Sequence, residues 1–201
     1  MKLHYSPTSP YVRKVTVTAI ETGLDGRIER LTADIREPSE SFLFDNPLGK
    51  VPALTTDDGL VLFDSAVICE YLDSLHGGHK LFPTEVPQRW RTLRLMALGD
   101  GILDAAVLRR AEMVRPEKEQ SSSWIERQKS KVMRGLAMLE REVPRFNPNV
   151  TIGQITVGSC LGYLDFRFSE EHWRIGRPML ADWYSMFMNR PSMEATAPYE
   201  P

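Results

Sequence analysis

Residues 2–23 read KLHYSPTSPYVRKVTVTAIETG, and the order of signals within them decides the fold. Leu3 and Tyr5 alternate with Lys2 and His4, the period-two pattern of a short strand over residues 2–5. Ser9-Pro10 then opens a helix, with a hydroxyl at the cap and proline at the first helical position, where a missing N–H is harmless. Val12, Val15, Ala19 and Ile20 follow at helical spacing, and Gly23 ends the run.

Working outward, residues 28–33 form a second strand candidate and residues 39–44 a short helix. Asn46-Pro47-Leu48-Gly49-Lys50-Val51-Pro52 is a loop that leads into the strand Ala53-Leu54-Thr55. Asp57-Asp58-Gly59 signals a hairpin turn, with residues 60–63 as the returning strand. Asp64-Ser65 caps a helix whose apolar face holds Val67, Ile68, Tyr71, Leu72 and Leu75, and Gly77-Gly78 stops it. The predicted order is βαβαββα.

Beyond Gly78 the strand signals fade. Leu81, Phe82, Pro83 and Pro87 mark a linker over residues 79–87, which separates an α/β domain (1–78) from an all-α domain (88–201). Four helices are predicted there. Residues 89–114 have Leu93, Met96, Ala97, Leu103 and Val107 as inward candidates, and residues 124–143 have Val132, Leu136 and Leu139. Residues 151–168 are apolar nearly all round, which marks a central helix, and residues 182–188 form the last.

The whole chain has 201 residues with a formal charge of −2, is 42% hydrophobic and 26% charged, and so reads as soluble and globular. The near-neutral balance excludes a dedicated nucleic-acid binder, and Arg89, Arg91, Arg94 and Arg110 read as a solvated face. The uncharged stretch 146–164 carries Asn147, Pro148, Asn149 and Gln154, too polar for a membrane span. Met1-Lys2 is followed by His4, Tyr5, Ser6 and Pro7 rather than an apolar signal-peptide core. Cys69 and Cys160 are distant and sit at apolar positions, so a reduced, cytoplasmic compartment is expected. His76 and His79 have no third ligand nearby, so no metal is expected.

Three features carry chemistry together. Ser9 stands where a strand runs into a helix N-terminus. Val51-Pro52 precedes a strand, where a cis proline would turn the Val51 N–H and C=O outward for pairing. Asp64-Ser65 begins a helix whose unpaired N–H groups and dipole attract a carboxylate. These segments, quoted as Ser6-Pro7-Thr8-Ser9-Pro10-Tyr11-Val12-Arg13-Lys14-Val15, Asn46 to Leu54 and Phe63-Asp64-Ser65, resemble the cytosolic glutathione transferases. Thr151-Ile152-Gly153-Gln154, opening the helix with Gly162-Tyr163-Leu164-Asp165, is a fourth match in register.

The resemblance implies a thioredoxin-like first domain that binds glutathione as co-substrate. It implies that the Val51 backbone pairs with the cysteinyl part, that Asp64 and Ser65 hold the γ-glutamyl end, and that Ser9 stabilises the thiolate. Lys50 is placed near the glycyl carboxylate. In omega-like relatives a cysteine occupies the position of Ser9; a hydroxyl cannot form a mixed disulfide, so thiol exchange there is not expected. Thr8 is the best rival hydroxyl, with Ser6 and Tyr5 behind it. Relatives carry aspartate where this chain has Gln154, which still completes a capping box with Thr151. The reading is a serine-type, bacterial-like transferase that conjugates glutathione to an electrophilic small molecule in detoxification. The electrophile is expected between the domains, against Tyr11, Leu103, Arg109 and Met113. A homodimer is implied, with an apolar face around Phe63, Val67 and Tyr71. The alternatives are a non-catalytic protein of the same fold and a glutathione-dependent isomerase or dehalogenase.

Overall fold

The computed structural model describes residues 1–200, which separate into two compact units. The first comprises Met1–Thr84 together with the segment from Pro191 onward, and the second Glu85–Arg190. The strands of the first unit are β1 (Lys2–Tyr5), β2 (Glu29–Thr32), β3 (Ala53–Thr55) and β4 (Val61–Leu62), in the sheet order β2-β1-β3-β4. β1 runs parallel to β2 with Lys2 opposite Glu29, and antiparallel to β3 with His4 opposite Ala53. β4 runs antiparallel to β3, with Leu62 opposite Leu54. The thioredoxin-like arrangement expected from the sequence is present.

The helices of this unit are α1 (Pro10–Glu21), α2 (Glu40–Asp45) and α3 (Ser65–Ser74), the first and third capped as the sequence indicates. Ser9, Ser39 and Asp64 accept hydrogen bonds from the backbone N–H groups of Val12, Phe42 and Ala66. α1 packs against α3. α2 lies on the face of β1 that carries His4, whose imidazole sits 4.8 Å from the Phe42 ring. Residues 81 and 82 are not a free linker. The Asp73 carboxylate accepts from the Leu81 N–H at 2.8 Å and the Phe82 N–H at 3.2 Å, which ties the chain to the end of α3.

The helical unit holds α4 (Val86–Met113), α5 (Ser122–Glu142), α6 (Ile152–Arg167) and α7 (Pro178–Met188). α6 is central, as expected, and is buried without a break from Ile152 to Leu164. Its N-terminus has the capping box read from the sequence: Gln154 Oε1 accepts from the Thr151 N–H at 2.9 Å, and Gln154 Nε2 donates to the Asn147 carbonyl at 2.8 Å. No helix among the described residues is long and apolar enough to cross a membrane.

Two expectations need correction. The second domain does not keep its C-terminal end. A short helix, α8 (Pro191–Glu194), and the residues after it belong to the first unit, where Arg13 Nη2 donates to the Met193 carbonyl at 3.0 Å and Ser192 Oγ donates to Glu21. The inward face of α4 is also shifted. Thr92, Leu95, Gly99, Ile102, Leu103 and Ala106 are buried, whereas Met96 and Val107 are half-buried and Ala97 is exposed. The buried face is built partly from small and polar residues, because α5 and α6 both approach α4 closely; a search for large apolar side chains passes over it.

Glycine permits that approach. A Cβ on Gly153 of α6 would stand 2.9 Å from the Thr92 carbonyl oxygen and 3.0 Å from the Leu95 Cβ. The obstruction is backbone and cannot rotate away. Gly153→Ala should therefore lower the unfolding free energy by roughly 1–3 kcal/mol despite the better helix propensity of alanine. Gly101→Ala, whose Cβ meets nothing within 4 Å, should be neutral or gain up to about 1 kcal/mol. Urea midpoints of the two variants test the difference.

Candidate functional site

The sheet register brings the three chemistry-bearing segments to one edge. β1 ends at Tyr5 and the chain continues through Ser6 to the α1 cap at Ser9. β3 begins opposite His4, so Val51 and Pro52 enter beside the end of β1. β4 runs antiparallel to β3, so Phe63 and Asp64 leave the sheet at that same edge and α3 begins there. Two peptide bonds are cis, Val51–Pro52 and Phe63–Asp64.

Each segment presents a defined group. Ser9 Oγ accepts from the Val12 N–H at 3.3 Å; that bond uses a lone pair and leaves the O–H proton to donate. Thr8 Oγ1 lies 3.2 Å from Ser6 Oγ, so these two hydroxyls pair with each other. Tyr5 is engaged elsewhere. Its hydroxyl bonds Tyr199, its ring carries the Arg30 guanidinium at 5.5 Å, and burial followed by Tyr199 pushes its pKa up. Asp64 is exposed and caps α3 through the Ala66 N–H at 2.9 Å, Ser65 is buried in the first turn, and Lys50 is exposed on the loop. A shallow cleft beside Ser9 is walled by Tyr5, Arg30, Thr196 and Tyr199. The C-terminal segment thus contributes to the surroundings of Ser9, which no signal in the sequence indicates.

These elements together match a known pattern. Residues 8–75 match the glutathione S-transferase N-terminal domain, and residues 122–185 the C-terminal domain. The uncharacterized GST-like protein YibF of Escherichia coli K12 is 33% identical over 98% of each chain. The chain belongs to the glutathione S-transferase family. A family member from Pseudomonas fluorescens Pf-5, solved with bound glutathione, is 44% identical over 99% of each chain and superposes with a TM-score of 0.94. A glutathione S-transferase from Methylobacillus flagellatus KT, also solved with glutathione bound, is 39% identical over 98% of this chain and 99% of its own, with a TM-score of 0.93.

In this family member the remaining sequence candidates fall into separate places. Tyr11 is half-buried in the first turn of α1, in the first unit. Leu103, Arg109 and Met113 lie on α4 in the second. Leu103 is fully buried. The Arg109 guanidinium is buried over the Phe168 ring and held in a bidentate pair with Glu171, Nη1 to Oε2 at 2.9 Å and Nη2 to Oε1. Lys129 joins Glu171 at 3.4 Å. Arg109 is therefore committed to the interior of the helical unit, because an unpaired guanidinium there would lose its hydration without replacement. Met113 alone of the three is exposed. Among the described residues, His, Cys, Asp and Glu form no group of three able to hold a metal ion. Asp73, which anchors residues 81 and 82, also accepts from His76 Nε2 at 3.0 Å.

Arg109 holds the Glu171 carboxyl below its ordinary value of 4.5, against an opposing contribution from partial burial. A depressed carboxylate contributes stability that is complete above its unfolded value and is lost as pH falls through the folded one. Stability should therefore decline as pH drops below about 4.5. Glu171→Gln should show a shallower decline over that range and lower stability at pH 7, measurable from urea midpoints between pH 3 and 7.

Proposed function

We propose that the chain is a glutathione transferase in which Ser9 is the catalytic hydroxyl. The observation that carries this reading is the convergence of Ser9, Val51 and Asp64–Ser65 on one sheet edge, each offering a group that a γ-glutamyl tripeptide requires. The Val51 backbone pairs with the cysteinyl residue. The α3 N-terminus, with Ser65, receives the γ-glutamyl carboxylate, and Asp64 receives the ammonium. Lys50 faces the glycyl carboxylate as a solvated point charge. The family relatives solved with glutathione support the same ligand.

The chemistry requires a thiolate. The Ser9 O–H donates to sulfur, and the α1 N-terminus adds positive potential, so the thiol releases its proton to solvent nearer neutral pH. Sulfur then attacks an electrophilic carbon of a small molecule, forming the C–S bond as the leaving group departs with its electron pair. Tyr11, two residues after the cap, borders the second substrate. Ser9 Oγ accepts from the Val12 N–H and so keeps its O–H proton for the sulfur, whereas the Thr8 and Ser6 hydroxyls share one hydrogen bond in which either is the donor. A cytoplasmic location is consistent with Cys69 and Cys160, both reduced and buried; burial pushes the Cys160 thiol far up, so it stays protonated.

Glutathione should bind saturably by calorimetry at millimolar concentration. Ser9→Ala should leave that affinity nearly unchanged, raise the apparent pKa of bound glutathione, and slow turnover of a generic aryl halide on the order of ten- to a hundred-fold at neutral pH. Thr8→Ala is the control. Loss of turnover in Thr8→Ala with a wild-type pH profile in Ser9→Ala would reassign the hydroxyl by one residue.

Self-association is a further part of the proposal. Val67 is 47% exposed on α3, beside the half-buried Phe63 and Tyr71, and this unpartnered apolar face suits a second copy. Sedimentation at micromolar concentration should give the mass of a homodimer, and Val67→Glu should shift it toward the monomer.

A further inference from the structure

Asn46 is buried at 1% exposure, yet it belongs to a loop whose neighbours Pro47, Leu48 and Lys50 are exposed. Four hydrogen bonds meet at this one residue. Its N–H closes α2 on the Phe42 carbonyl at 2.8 Å, and its carbonyl accepts from the Gly49 N–H at 2.9 Å. Its side-chain Oδ1 accepts from the Leu48 N–H at 3.1 Å, and its Nδ2 donates to the Lys50 carbonyl at 2.7 Å. The first side-chain bond is an ordinary Asx turn. The second reaches four residues ahead, to the peptide group that joins Lys50 to Val51. Gly49, at φ +61°, takes the left-handed conformation that lets the chain fold back over the amide.

The residue before it fastens the loop to the sheet. Asp45 Oδ2 lies 2.7 Å from Nε2 of His4, the residue of β1 that pairs with Ala53 across the ladder. One end of the loop is thus held by β1 through His4 and Asp45, and the other enters β3 directly. Between these ends, the bond from the Asn46 amide to the Lys50 carbonyl restrains rotation of the Lys50–Val51 peptide.

We propose that Asn46 is a positioning residue for glutathione: its Nδ2 holds the Lys50 carbonyl and thereby aims the Val51 N–H, which belongs to the same peptide group, at the ligand backbone. This rests on the glutathione reading above. It assigns specificity to a side chain that does not touch the ligand. The energetic logic is preorganisation: a peptide group already fixed in its pairing direction loses no further rotational freedom when the tripeptide arrives. The donor half of the amide carries the role, because the acceptor half serves only the local turn.

Two variants separate the halves. Asp in place of Asn46 keeps an acceptor for the Leu48 N–H but, when ionised, turns a donor into an anion facing the Lys50 carbonyl; once protonated, it donates again. The charged and titratable groups around it are Asp45, His4 and Lys50, all present in the wild type, so the quantity to follow is the ratio of variant to wild-type Kd at each pH. Ser in place of Asn46 can still receive the Leu48 N–H but is too short to reach the Lys50 carbonyl. The probe is S-methylglutathione, which has no thiol to ionise, titrated by calorimetry at 25 °C with folding verified by thermal melts.

At pH 7.5 both variants should bind roughly tenfold more weakly than wild type. At pH 5 the Asn46→Asp ratio should recover severalfold while the Asn46→Ser ratio stays constant. A merely structural role would lower the melting temperature without this pH-dependent recovery in one variant alone. Should Asn46→Asp not fold, Asn46→Ser decides by its affinity at pH 7.5. Wild-type binding with both variants within twofold of it overturns the positioning role, as does a pH-independent Asn46→Asp ratio. Failure of the wild type to bind S-methylglutathione would instead overturn the glutathione reading itself.

Discussion

Ala53 lies opposite His4 in the antiparallel ladder between β1 and β3, and the rest of the first unit depends on that register. It places the entry to β3 beside the exit from β1, so the segments carrying Val51 and Ser9 reach the same edge although 42 positions separate the two residues. The same register sends β4 back to that edge, where Asp64 caps α3. A slip of one residue would exchange the faces of the strand, taking Leu54 out of the core and parting Val51 from the end of β1. The buried side chains of Leu3 and Leu54 hold the pairing against such a slip. His4 has two duties in it: its backbone belongs to the ladder, and its imidazole reaches α2 on the opposite face through Asp45.

The edge so formed is polar without being strongly charged. Two helix N-termini, those of α1 and α3, direct partial positive charge toward it, and their caps are a neutral hydroxyl and a carboxylate. In the proposed function this difference divides the work. A carboxylate beside the sulfur would oppose a thiolate, whereas a hydroxyl donates to it. A cysteine there would itself be acidic and would compete with glutathione for disulfide exchange. Serine is compatible with conjugation and incompatible with thiol transfer.

In the helical unit, close approach is the governing requirement. Gly153 against Thr92 and Leu95, and Gly99 against Thr156, let α6 lie in contact with α4 along its buried length. The capping box at Thr151 and Gln154 fixes where α6 begins, so it also fixes which residues of α6 meet these glycines. Arg109 shows how the unit admits charge: it is paired at both ends of its fork and stacked on Phe168.

The strand-to-helix order, the caps at Ser9 and Asp64, the central helix and the capping box with glutamine in place of aspartate were legible in the sequence, because each is a local signal. Periodicity, a hydroxyl before a proline, and a Thr-x-x-Gln pattern act within a few residues of chain. Other features were not legible. The buried face of α4 rests on glycine and alanine, whose burial follows from how closely other helices approach. Arg109, read as bordering a pocket, forms an ion pair with Glu171, 62 residues away. The segment after Pro191 joins the first unit through Arg13, 180 residues distant from Met193. Asn46 was legible as part of a turn, but the bond from its amide to the Lys50 carbonyl was not, since composition cannot tell which of several polar groups a loop amide will meet. The sequence by itself determined the local elements and their order. The convergence of three segments on one edge, and the choice of partner for each buried polar group, were decided by the tertiary structure, because both depend on which distant backbone lies within hydrogen-bonding reach.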